Sequence, residues 1–193
     1  MKRTLALLTT AALSAPLMAS DHAMERQLNE HIDTSRATIQ QFAQTLQGEL
    51  QAAVREGGAP AGIRVCNDVA PAIAEQASED FNGDVGRTSL KIRNAANSPD
   101  DWEAEVLARF DERRAAGQDP STIDHFEVHK TADGGREFRY MRAIPAGEVC
   151  MACHGTSIDD GIKATLNEYY PDDKATGYQP GQLRGAFTLR REF

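Results

Sequence analysis

The sequence predicts an α+β fold in which helices flank an antiparallel sheet, and three observations carry that prediction. Residues 23–55 hold one long helical period: Met24, Leu28, Ile32, Ile39, Phe42, Leu46, Leu50 and Val54 recur between charged and amide residues. Residues 125–144, "HFEVHKTADGGREFRYMRAI", alternate in period two on both sides of an "ADGG" turn, as a β-hairpin does. The closing "QLRGAFTLRREF" alternates again, with Leu183, Ala186 and Leu189 between polar neighbours and a break at Gly185. Strands joined by a hairpin, with helices before and between them, imply an antiparallel sheet rather than a parallel one. At 193 residues the chain fits one domain with a real core.

The elements follow in order. "GGAPAG" at 57–62 stops the long helix, and "IRVC" at 63–66 reads as a short strand leading to Cys66. "APAIAEQA" is a brief helix with Pro71 near its start. After the turn "FNG", the stretch "DVGRTSLKIRN" alternates, with Thr88, Leu90 and Ile92 on one face and Arg87, Ser89, Lys91 and Arg93 on the other. "NSPDDWEAEVLARFDERRAAG" is a punctuated helix: Ser98 as N-cap, Pro99 first, acids early, arginines late and Gly117 after the end. Its buried face is Trp102, Val106, Leu107 and Phe110. A further helix is expected around "DDGIKATLNEYY".

The first twenty residues, "MKRTLALLTTAALSAPLMAS", have a basic start, a short apolar stretch and small residues after it. That is the pattern of a secretory signal peptide, with cleavage expected after Ala19 or Ser20 and Ala23 as a second option, which would leave a single domain over 21–193 and a periplasmic location. No later stretch approaches the ~20 apolar residues of a membrane span. The formal net charge is −8, and losing Lys2 and Arg3 with the leader makes it more negative. A surface this acidic argues against nucleic acid or anionic lipid as partner. Export also puts the cysteines where disulfides form, yet the chain has 3, an odd number.

Two of them stand in "PAGEVCMACHGTS" at 145–157. Cys-x-x-Cys-His is the attachment sequence of c-type haem: two thiols form thioethers to the vinyl groups on one edge of the macrocycle, and the adjacent imidazole reaches the iron. Cys150 and Cys153 are therefore expected to be the covalent anchors of one haem c, and His154 the proximal ligand through a neutral ring nitrogen. A thioredoxin-like site would need a parallel βαβ context, a zinc site two more ligands, and a disulfide across so short a loop stabilises little. For the other side of the iron the candidates are Met141, His125, His129, His31, His22 and Cys66. With the other cysteines spent on thioethers, Cys66 is a buried inert thiol, an intermolecular bridge or a thiolate on iron.

With those residues in hand, the chain resembles the bacterial c-type haem proteins with a PAS-like fold, a family long catalogued as a domain of unknown function. Four stretches carry the resemblance across nearly the whole chain: "CNDVAPAIA", "GRTSLKIRNAANSPDDWE", "CMACHG" and "PDDKATGYQPGQLRGAF". It implies a PAS-like antiparallel sheet with the haem at its edge, and His/Cys axial ligation with Cys66 as the distal ligand. A proline tends to follow "RN" in the family, where this chain has Ala95. In that frame Arg87 and Arg93 become candidate partners of the haem propionates through charge-assisted hydrogen bonds; the alternative is a solvated strand face on an acidic protein. The expected function is a periplasmic redox or small-gas sensor, taking nitric oxide or carbon monoxide and signalling to a separate protein. The alternative is a soluble monohaem electron-transfer cytochrome with a protein redox partner. No distal acid–base constellation is recognisable, so an enzyme is not expected.

Overall fold

The computed structural model describes residues 15–193, with side chains from residue 21 onward. The predicted leader and its cleavage site lie outside the described side chains. The chain is α+β and PAS-like: four strands form one sheet in the order β1-β4-β3-β2, every neighbouring pair antiparallel. Among the described residues no helix is long and apolar enough to cross a membrane.

Helix α1 (Ala15–Arg64) is two helices joined at a kink, where Gly57 and Gly58 leave helical geometry. Gly58 has φ +68°, a left-handed conformation open to glycine at no steric cost. The predicted stop at "GGAPAG" is therefore a bend, and the helix resumes behind it. Gly62 lets the resumed helix come close, because a Cβ there would stand 2.8 Å from a Val54 methyl. The expected strand at 63–66 is not formed. Ile63 is buried against Leu166 and Tyr170, and that packing outweighs the modest helix penalty of its β-branch.

Residues Val65–Val69 then form one π-helical turn around Cys66, closed by the Ala70 N–H donating to the Val65 carbonyl. Helix α2 (Ala70–Phe81) begins directly, with Pro71 in its first turn. In a straight α-helix the Pro71 ring would meet the carbonyl of Asn67; the wider π turn relieves that clash.

Strand β1 (Asp84–Thr88) is shorter than the alternation predicted. It ends because the buried Ser89 hydroxyl accepts the Lys91 N–H at 3.2 Å, a local bond that competes with the ladder. The chain then bends, and Leu90 is 56% exposed instead of facing inward with Thr88. At the Ala95 departure a 3-10 turn forms over Ala95–Asn97, capped by the Asn94 side chain on the Ala96 N–H. Helix α3 (Asp101–Ala115) is N-capped by Asp100, not Ser98, in a reciprocal capping box with Glu103. The box satisfies two helix-end donors, and Ser98, two residues earlier, cannot reach them.

The hairpin is as expected: β2 (Asp124–Lys130) and β3 (Arg136–Pro145) pair with Phe126 opposite Tyr140 and Val128 opposite Phe138. The last strand, β4 (Leu183–Glu192), lies between β1 and β3. The sheet is covered on both faces. Phe138, Tyr140, Phe187 and Leu189 meet Ile32, Ile39 and Phe42 of α1 and Phe81 of α2. On the other face Met141, Ala143 and Ala186 meet Val106, Leu107 and Phe110 of α3.

Between neighbours β3 and β4, residues 146–182 leave the sheet. Their neck is closed by Ala146 N–H to the Gln182 carbonyl and Gly181 N–H to the Ala146 carbonyl, each 2.8 Å. The excursion carries a 3-10 turn over Glu148–Cys150, the short helix α4 (Met151–His154) and helix α5 (Asp160–Tyr169). Cys150, Cys153 and His154 are thus held on a loop that begins and ends on the two central strands.

Two outcomes test this fold. Asp100→Ala should cost about 1–2 kcal/mol in urea unfolding, and Ser98→Ala much less, because Asp100 is the cap. The hydrogen bond from His125 and the nearby Arg109 hold the Glu127 carboxyl down from its ordinary 4.5 to about 2. Its contribution is present above about pH 4.5 and lost as pH falls towards about 2. Across that window Glu127→Gln should lose less stability than the wild type, read as urea midpoint against pH.

Candidate functional site

The predicted site residues meet in one cavity. Its volume is about 270 Å³, and its lining includes Cys66, Arg87, Arg93, Cys150, Cys153 and His154. Leu46, Leu50 and Val54 of α1 and Ile144 of β3 supply apolar wall. The helical stripe of α1 is therefore divided: Ile32, Ile39 and Phe42 pack the sheet, while Leu50 and Val54, about two and three turns further on, line the cavity.

Of the candidate second ligands, only Cys66 lines this cavity among the described residues. Met141 is fully buried in the α3 core. His125 and His129 both face Glu127, at 2.7 and 3.4 Å. His31 accepts from Arg191 Nε at 2.8 Å and packs on Phe138 and Phe193. His22 is exposed beside Glu25.

A strap from Asp173 to Tyr178 ties the motif down. The Tyr178 N–H donates to the His154 carbonyl at 2.9 Å and the Gly177 N–H to the Gly155 carbonyl at 3.0 Å. Lys174 N–H donates to the Ile92 carbonyl at 2.8 Å, which joins the strap to the loop after β1. Arg93 holds the same junction. It pairs with Asp173 at 2.8 Å, both side chains only 8% exposed, and it donates to the Cys153 carbonyl. Arg93 is thus occupied within the protein, whereas Arg87 meets no carboxylate and no hydrogen-bond partner among the described residues and lies 5.8 Å from the Phe42 ring centroid.

The imidazole of His154 is oriented by the strap. Its Nδ1 lies 2.7 Å from the Ala175 carbonyl. A carbonyl only accepts, so Nδ1 carries the proton and the lone pair sits on Nε2. Burial, then Arg184 and Arg93, push the imidazole pKa down to about 3, so the ring is neutral across the ordinary pH range. Tyr178 stands edge-on to it at 83°. Burial pushes the Cys66 thiol up, against the pull of Arg87, Arg93 and Arg184, which favour its anion. Cys153 is pushed up by burial as well, with Arg93 opposing. Chemically, the cavity offers three sulfur nucleophiles, one neutral imidazole donor and a cluster of cations.

A family model described as Tll0287-like matches residues 15–191. The chain belongs to the Tll0287-like family. In fold it is similar to the crystal structure of the cyanobacterial heme-protein Tll0287, with a TM-score of 0.60 and 22% identity, covering 84% of this chain and 95% of that one. No curated protein matches the chain. The family match spans all the residues that build the cavity and the strap.

Sequence reasoning missed Asp173, Ala175 and Arg184. All three lie in "PDDKATGYQPGQLRGAF", a stretch visible as a family signature but with no chemical motif of its own. Removing one partner of a buried ion pair strands the other. Asp173→Ala should therefore cost about 3–5 kcal/mol in denaturant unfolding, and the double substitution Arg93→Met with Asp173→Leu should recover part of that loss.

Proposed function

We propose that the chain binds one haem c, with Cys150 and Cys153 forming the thioethers and His154 and Cys66 ligating the iron. The observation that carries this reading is that Cys66, alone among the candidate second ligands, shares the cavity with the Cys-x-x-Cys-His motif. The cavity fits the group. Much of its wall is apolar, and Val54 and Val149, which line it, are 37% and 60% exposed, surface a macrocycle could cover. Arg87 is a cation without an anion, as a propionate partner would be. A related fold in a cyanobacterial heme-protein adds support.

When bound, haem supplies one-electron chemistry and an iron centre that accepts small gases. The chain's residues supply the rest. Ala175 keeps the His154 proton on Nδ1 and the lone pair on Nε2, which accepts a long contact from Arg93 Nη1 at 3.4 Å. The arginines favour the Cys66 anion against its burial. Cys66 lies on a π turn close behind the Gly57–Gly58 kink, so a change in whether Cys66 is held or released acts first on residues 59–69. That is a two-state element a partner can read, which makes a redox or small-gas sensor the proposed role, without enzymatic activity. Export by a leader over residues 1–20, leaving a single periplasmic domain over 21–193, completes the proposal.

The test is spectroscopic. Purified protein should give a c-type pyridine haemochrome, and Cys66→Ser should abolish the thiolate-type low-spin signal of the ferric wild type in electron paramagnetic resonance. Identical spectra for the two proteins would rule out Cys66 as ligand. Uptake of carbon monoxide by the reduced wild type is expected of a sensor; refusal would make the protein an electron carrier.

A further inference from the structure

Three guanidinium groups, those of Arg87, Arg93 and Arg184, line the cavity. Only one has a counter-charge. Arg93 is neutralised by Asp173, and among the described residues no carboxylate lies within ion-pair distance of Arg87 or Arg184. Arg184 touches only neutral groups: its Nη1 donates to the Ser89 hydroxyl at 3.1 Å and to the Lys91 carbonyl at 3.4 Å, and its Nε faces His154 Nδ1 at 3.2 Å.

That last contact is not a hydrogen bond once the ring's proton is assigned. Nδ1 donates to the Ala175 carbonyl at 2.7 Å and has no lone pair left for Arg184. The Arg184 Nε–H is therefore an unspent donor on a cation. Two such charges in one partly desolvated cavity repel each other, an arrangement that anions between or beside them would stabilise. Burial pushes the pKa of both guanidinium groups down, in line with charges that lack partners.

We infer that Arg87 and Arg184, not Arg93, form a paired site for two carboxylates borne by one bound ligand. Resting on the haem reading above, those carboxylates are its two propionates, and each guanidinium fork takes one. Arg93 is a structural residue that spends its charge on the strap. The assignment of Arg184 separates its role from the neighbouring His154: the imidazole is oriented by Ala175, and the guanidinium, held by Ser89 and Lys91, keeps its remaining donors for the ligand.

The inference is tested on the haem-loaded protein by resonance Raman spectroscopy of the propionate bending modes. Arg87→Gln and Arg184→Gln should each move those modes to lower frequency. Arg184→Lys, which keeps the charge but loses the fork, should give an intermediate shift if Arg184→Gln does not fold. A second measurement uses thermal unfolding of Arg87→Gln in two backgrounds. The loaded protein should be destabilised, whereas a Cys150→Ala, Cys153→Ala background, which cannot attach haem, should be stabilised by relief of like-charge repulsion. Propionate modes unmoved in every variant, or the same sign of stability change in both backgrounds, would overturn the inference. A wild type without a c-type haemochrome would instead overturn the haem reading on which it rests.

Discussion

The buried ion pair between Arg93 and Asp173 is the contact on which the site depends. A charge pair this enclosed is stable only when every remaining donor and acceptor is met. Arg93 meets that condition by adding the Cys153 carbonyl to Asp173. One guanidinium thereby joins the loop after β1, the motif helix and the strap. With the strap fixed, the Ala175 carbonyl stands where the His154 ring must donate, and the tautomer follows from backbone position. The chemistry of the imidazole is set by a contact made with residues on two other segments.

The long N-terminal helix contributes in a different way. A single apolar stripe along α1 serves as core against the sheet in one part and as cavity wall in the next. The glycine kink then folds the chain back, and the π turn, widened at Pro71, brings Cys66 to the same wall. No one segment is a site by itself. The cavity exists because a helix end, a shortened strand and a loop excursion converge at one end of the sheet's strands.

Much of the fold was legible because its signals are local. The hairpin announced itself through alternation around "ADGG", and α3 through its acids, arginines and Gly117. Errors arose where a distant contact overrode a local preference. Ile63 and Val65 look like strand residues, but Leu166 and Tyr170 reward a helix there. The run from Asp84 to Asn94 alternates throughout, yet the Ser89 hydroxyl ends the strand at Thr88. The same holds for the site. Cys150, Cys153 and His154 stood out by spacing and Cys66 by the odd count and the family resemblance, because thiols are few and their chemistry is specific; all four line one cavity. Asp173 and Arg184 were not, since a surface-type residue becomes functional only through what the fold sets beside it. Arg93, singled out as a propionate partner, does line the cavity, but the sequence has no means of revealing that Asp173 claims its charge.

The neck at Ala146 and Gln182 has a consequence for cooperativity. The excursion rejoins the sheet through two short hydrogen bonds, and the cluster it makes, Ile63 with Leu166 and Tyr170, is separate from both sheet cores. Segments with their own small core open at lower free energy than the central strands. The molecule is thus built as a durable sheet with a looser annex, in which the motif-bearing loop and the Cys66 segment form one unit that can breathe while β3 and β4 stay paired. Cys66, Cys150, Cys153 and His154 all belong to that annex, so its local opening would disturb the cavity before it disturbed the sheet.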